Sequence, residues 1–170
     1  IAELSRLHGP HPTSRAAVCE LDDLVSDAVA TIAPLAAAAD VDVLAGDLAG
    51  VTVEVDPRAV TRAVTNVLRN ALQHTPSGGR VIVTTQVRDG RVVVDVSDGC
   101  GGIAPGDLER VFEPGWRGDQ ARHDRGMGLG LTIAREVARS HGGDAVATNR
   151  ADGTGCTVTL SLPAQGLTRS

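Results

Sequence analysis

Val96-Ser97-Asp98-Gly99-Cys100-Gly101-Gly102-Ile103, answered further on by Gly126-Met127-Gly128-Leu129-Gly130-Leu131, is the stretch on which the reading of this chain turns. Glycine lets the backbone approach a ligand closely and adopt conformations closed to other residues. Between the two clusters runs a polar, Arg-bearing segment with neither helical nor strand period. Irregular segments of roughly twenty residues are uncommon inside compact domains, and they are usually either functional lids or disordered. The pattern predicts a nucleotide lid hinged on glycines.

Working outward, 170 residues with 42% apolar content suffice for one sizeable core plus short ends. With one Phe, one Trp and no Tyr, that core must be built from Val, Leu, Ile and Ala. A net charge of −5 argues against a general nucleic-acid surface, which needs clustered positive charge. All sixteen basic residues are Arg. Without Lys there is no Walker-A loop, no protein-kinase strand Lys and no Schiff-base chemistry. Cys19, Cys100 and Cys156 are far apart in sequence and lack C-x-x-C spacing, which suits a reducing compartment and the role of small apolar fillers. No apolar run approaches the ~18 residues of a membrane span, and there is no signal peptide. A start at Ile1 rather than Met suggests a piece of a longer polypeptide.

Ile1, Leu4 and Leu7 have helical spacing that Gly9-Pro10 stops, so the expected opening is the end of an upstream helix and a linker, residues 1–17. His8 and His11 read as linker, since no further ligand lies nearby with zinc-site spacing. A helix is expected from Leu21 to Ala39, then strands at Val41 to Leu44 and Val51 to Val55. Asp56-Pro57 is a strong helix start, and Val60, Val64, Val67, Leu68 and Ala71 make that helix's apolar stripe. Asn66, Asn70 and His74 repeat every four residues and form a second, polar stripe. A solvated face would read Glu, Arg or Gln, whereas Asn is a poor helix-interior residue and its carbonyl can coordinate Mg²⁺.

Arg80 to Val87 and Arg91 to Ser97 form a hairpin about Asp89-Gly90. Asp98 follows at the strand end. A turn Asp before Gly is the ordinary reading of that dipeptide, but a carboxylate fixed there also suits an exocyclic amine such as that of adenine. Gly130 to Ser140 reads as a helix whose start, behind Gly126-x-Gly128-x-Gly130, is an anion site. The spacing and the preceding loop both differ from a dinucleotide-binding fold. Strands at Asp144 to Thr148 and Cys156 to Leu162 flank a turn, Pro163 closes the domain, and residues 164–170 are left as a tail.

In order, Asn66-x-x-x-Asn70-Ala71-x-x-His74, Asp98-x-Cys100-Gly101-Gly102-Ile103, Phe112-Glu113-Pro114, Gly126-Met127-Gly128-Leu129-Gly130-Leu131 and Gly153-x-Gly155 resemble the N, G1, F, G2 and G3 boxes of sensor histidine kinases. That family shares its ATPase superfamily with gyrase, the Hsp90 chaperones and MutL. The resemblance covers residues 18–163. It implies an α/β fold of the Bergerat type, a two-layer α/β sandwich in which a mixed sheet packs against three helices under an ATP lid.

Carried over by position, Asn66 and Asn70 would be the catalytic pair, Asn70 coordinating Mg²⁺ while Asn66 and His74 approach the phosphates. Asp98 would bind the adenine amine, with Gly102 and Ile103 lining the base pocket. The run Gly126, Met127, Gly128, Leu129, Gly130 and Leu131 would bind the nucleotide, its glycines wrapping the phosphates. Arg117, Arg122 and Arg125 belong to the lid and could reach phosphate, Arg117 and Arg125 counting among the nucleotide-binding residues, and Phe112 would anchor the lid. The implied function is transfer of the γ-phosphoryl group of Mg-ATP to a histidine on a separate dimerisation and phosphoacceptor module, with relay to a response regulator receiver domain in bacterial two-component signalling. No H-E-x-R-x-P motif surrounds a histidine here, so the acceptor lies outside this chain. The isolated domain is expected to be a cytoplasmic monomer, and its parent a homodimer of a kind that can be membrane-anchored.

Three departures stand out. Gln73 takes the place of a common Lys or Arg, Gly115 that of a Phe, and Cys156 that of the Ser or Thr that helps bind adenine, so weaker ATP binding is expected. Asn66 occupies the position where gyrase, Hsp90 and MutL carry a water-activating Glu; an amide is no general base, so hydrolysis should be slow. The rival readings are a water-activating ATPase of the same superfamily and a degenerate, non-catalytic nucleotide-binding or scaffold module.

Overall fold

The structure, a computed structural model, describes residues 15–116 and 128–163 together with the backbone of 168–169. Strands β1 (Ala17–Glu20), β2 (Asp42–Ala45), β3 (Val51–Val55), β4 (Arg80–Arg88), β5 (Arg91–Ser97), β6 (Asp144–Asn149), β7 (Cys156–Pro163) and β8 (Thr168–Arg169) alternate with helices α1 (Leu21–Ala39), α2 (Pro57–His74) and α3 (Gly130–Ser140). Five strands form one sheet in the order β2-β4-β5-β7-β6. Its β2–β4 pair is parallel and the others are antiparallel, which makes the sheet mixed, as expected. The three helices cover one face. Valines alternating along β4 and β5 bury Val81, Val83, Val92, Val94 and Val96 against Leu21, Val25 and Ile32 of α1, Val64, Val67 and Leu68 of α2, and Ala134 of α3. Removing most of a side chain such as Leu68 from this aliphatic core should cost about 2–5 kcal/mol.

The local signals act as their chemistry predicts. The Asp56 carboxylate accepts from the Arg58 and Ala59 amides at 3.0 and 3.2 Å, and Pro57 opens α2. Asp89 and Gly90, at φ 52° and 70°, make the two-residue turn that sets Arg88 opposite Arg91. This turn fixes the register of the central hairpin.

Two features differ from the sequence reading. A second, three-stranded antiparallel sheet, β1-β3-β8, is built from residues read as linker end, strand and tail. Four-residue β1 and two-residue β8 are too short to carry a readable alternation, and they become strands by pairing with β3. The far face of the main sheet also carries a buried acid, Asp95, which accepts from Gln86, Arg88 and Thr159. The alternation of β5 is therefore Val92, Val94 and Val96 inward, with buried Val93 and the satisfied Asp95 on the outward face.

Candidate nucleotide site

The site is assembled where β5, α2 and α3 end or begin. Asp98 leaves the end of β5 with its side chain only 2% exposed. Its Oδ1 accepts from the amides of Cys100 at 3.0 Å and Cys156 at 3.3 Å. The Cys156 thiol lies 3.3 and 3.5 Å from the two carboxylate oxygens and donates to them. Asp98 is thus fixed by strand β7 and by its own turn, the state required of a carboxylate that reads an amine. Gly155 makes this packing possible: a Cβ there would lie 1.8 Å from the Asp98 carbonyl oxygen.

Beyond Asp98 the chain turns through Gly101 and Gly102 at φ 84° and 97°. Ile103 is then held by a side chain that the sequence did not flag. The Asn149 Oδ1 accepts from the Ile103 amide and its Nδ2 donates to the Ile103 carbonyl, both at 2.7 Å. An amide side chain here replaces a strand partner, and only its place at the end of β6 could have drawn attention to it. Thr75 is a second residue the sequence did not flag. It is buried, donates to the Ala71 carbonyl at 2.8 Å, and stands behind Gly99.

At the other end, α3 begins at Gly130 with no side-chain cap. Its first amides carry the usual unsatisfied donors of a helix start. A Cβ on Gly130 would sit 3.7 Å from Asn66, so this helix start abuts the first Asn of the polar stripe. The Asn66 Nδ2 is buried and has no hydrogen-bond partner among the described residues. Asn70 is half-buried and His74 exposed. From Asn66 to His74 helical rise gives about 12 Å. The stripe therefore connects an uncapped helix start to the turn that holds Asp98.

Phe112 and the chain flanking residues 117–127 complete the frame. Phe112 is buried, its carbonyl accepts from Thr132 Oγ1 at 2.7 Å, and Arg135 stacks 4.8 Å over its ring. Arg135 also binds Glu109 and Asp144, and this guanidinium, helped by the Ala145 amide and Arg139, holds the Asp144 carboxyl down at about 2. The Gly115 amide donates to the Gly128 carbonyl at 3.1 Å, so the chain on either side of residues 117–127 meets at one point. A Cβ at Gly128 (φ 65°) would come within 2.9 Å of Gly115, whose own φ is 75°. Glycine at 115, a departure from the usual Phe, has this local reason. Leu129 and Leu131 flank Gly130, Leu131 buried and Leu129 exposed. His8, His11, Arg117, Arg122, Arg125, Gly126 and Met127 lie outside the described residues.

The cysteines correct the reading of them as scattered fillers. Cys100 and Cys156, 56 positions apart, bring their sulfurs to 3.0 Å. They also share a neighbourhood with Asp98, the three ligating atoms all within 4.8 Å of one another. Sequence spacing could not show this, because the ladder between β5 and β7 makes the contact.

Residues 55–166 match the family described as histidine kinase-, DNA gyrase B-, and HSP90-like ATPase. The chain belongs to this family. The sensor-like histidine kinase SenX3 of Mycobacterium tuberculosis is 36% identical over 166 residues, which are 96% of this chain and 40% of that protein. The histidine protein kinase DivJ of Caulobacter vibrioides is 43% identical over 112 residues, 65% of this chain and 19% of that one. The chain thus spans less than half the length of these curated relatives. Among solved structures, the mycobacterial sensor histidine kinase MprB superposes with TM-score 0.78 at 28% identity, covering 86% of this chain and 97% of that one. Full-length ShkA, solved in complex with AMPPNP, superposes with TM-score 0.80 at 23% identity over 98% of this chain and 34% of that one, a likeness of fold. Within the ATPase family, the chain is a catalytic domain of the sensor histidine kinase type. None of its described helices is long and apolar enough to cross a membrane.

Proposed function

We propose that this domain binds Mg-ATP and delivers its γ-phosphoryl group to a histidine on a separate dimerisation and phosphoacceptor module, from which a receiver domain takes it. The observation that carries this is the polar stripe of α2, with a fixed, buried carboxylate at one end and an uncapped helix start beside a buried, unpartnered amide at the other. A purine amine fits the first end and anionic phosphate the second. The solved complex of the histidine kinase ThkA with the response regulator TrrA illustrates the kind of partnership meant.

Phosphoryl transfer needs little covalent help from the protein and depends on positioning and charge stabilisation. Asp98 orients the base, with Gly102 and Ile103 beside it. Asn66 and the amides at the start of α3 address the phosphates, joined by His74 and, from the lid, Arg117 and Arg125. Asn70 offers a carbonyl oxygen of the kind a hard cation takes and would hold Mg²⁺, which when bound would supply neutralisation of phosphate charge. Asn66 cannot deprotonate water, so turnover waits for an imidazole, which is nucleophilic without a base.

Calorimetric titration with ATP, with and without Mg²⁺, combined with phosphate release in the same samples, tests the reading. Binding strengthened by Mg²⁺ with almost no release is expected. Steady release would favour a water-activating ATPase, and no binding would favour a scaffold. Given an acceptor module, Asn70→Asp should abolish transfer. Gln73→Lys and Cys156→Thr should each tighten ATP binding.

A further inference from the structure

Two thiols lie against the carboxylate that is assigned to the base. Cys156 is buried at the start of β7 and Cys100 is half-buried in the glycine turn. Their sulfurs, 3.0 Å apart, are closer than the roughly 3.8 Å that two thiolates span around a tetrahedral zinc ion with Zn–S bonds of about 2.3 Å. A disulfide, by contrast, requires closure by only about 1 Å, to about 2.05 Å. The means of closing it are local: Cys100 is flanked by Gly99, Gly101 and Gly102, so its turn can shift without moving a side chain out of the core.

We propose that Cys100 and Cys156 form a reversible disulfide that weakens adenine nucleotide binding, making this site sensitive to thiol oxidants. The inference rests on the nucleotide reading above. The oxidant is a small-molecule disulfide. The half-buried Cys100 thiolate attacks one of its sulfurs, forming a mixed disulfide and releasing one thiolate. Cys156 loses its proton to that thiolate, and its sulfur attacks Cys100 Sγ, releasing the second thiolate, which takes up the proton that Cys100 gave up. Two cysteines are oxidised, and one disulfide is reduced to two thiols. Burial pushes both thiols above their ordinary range; the Gly102 amide, donating to Cys100 Sγ at 3.3 Å, works against this at Cys100, the entry point.

The consequence for the ligand follows from hydrogen-bond polarity. Adenine's edge offers an amine donor beside a ring-nitrogen acceptor. The reduced site answers the amine with the Asp98 acceptor, which the Cys156 S–H holds in place by donating to it. Oxidation removes the S–H and leaves lone pairs facing a carboxylate. Losing the hydrogen bond that holds Asp98 in place should weaken ATP by about three- to tenfold.

The test uses the whole chain, fully reduced or treated with excess glutathione disulfide, followed by intact mass, peptide mapping and titration with Mg-ATP. The expected result is loss of two hydrogens, a linked peptide containing Cys100 and Cys156, weaker ATP binding, and recovery on adding dithiothreitol. Cys19→Ser should behave as the parent chain, whereas Cys100→Ser should give no internal link and an ATP affinity indifferent to the oxidant. A stable glutathione adduct without the internal link would overturn the proposal. So would the internal link with unchanged ATP affinity. If the reduced chain binds no ATP, the nucleotide reading and the coupling to it both fall, while mass and mapping still decide whether the disulfide forms.

Discussion

The two ends of the α2 stripe are built on opposite principles. At the Asp98 end the binding groups already have protein partners: amides and a thiol hold the carboxylate, and Asn149 clamps Ile103 on both sides. At the Asn66 end a buried amide has no partner among the described residues and a helix start has no cap. One end is fixed by its own protein contacts, as the proposed base site requires, and the other holds unsatisfied donors that an anion would satisfy.

The contrast can be broken most severely at Gly155. Alanine there must push the start of β7 away from the Asp98 carbonyl, and a loss of about 3–5 kcal/mol in denaturant unfolding is expected. Asp98→Asn leaves the backbone untouched but replaces an acceptor with a group that can present a donor. Calorimetry should show ATP weakened by about 30- to 100-fold with the melting temperature nearly unchanged. Should affinity survive, the base is not read here.

Asn66→Ala separates the two ends most sharply. It removes an unsatisfied buried amide and a poor helix former, so the apo domain should gain about 0.5–1.5 kcal/mol while ATP binding weakens by about tenfold. A loss of stability would show instead that Asn66 is already satisfied. The smallest effect concerns the frame under Phe112. Asp144 has its carboxyl held at about 2 by Arg135, below its unfolded value of about 3.9. Its contribution is therefore complete above about pH 4 and is lost as pH falls toward 2. Asp144→Asn should flatten the acid limb of a stability-versus-pH curve, modestly because the pair is partly exposed.

Much of this was legible in the chain itself. Asp56-Pro57 and Asp89-Gly90 set a helix start and a hairpin register through chemistry contained within a few residues. The bounds of α3 and the stripe of Asn66, Asn70 and His74 follow from helical period. The order of the glycine boxes pointed to the family. Short strands escaped, because β1 and β8 exist only by pairing with β3.

Sequence by itself therefore determined the helices, the longer strands, the polar stripe and the two glycine clusters, since each depends on interactions between near neighbours. Tertiary structure alone decided which distant residues share a site. The β5–β7 ladder carries Cys156 to Asp98 and Cys100, the end of β6 brings Asn149 to Ile103, and packing of α2 on α3 sets Gly130 against Asn66. Such meetings depend on strand order and helix packing, which no local spacing encodes.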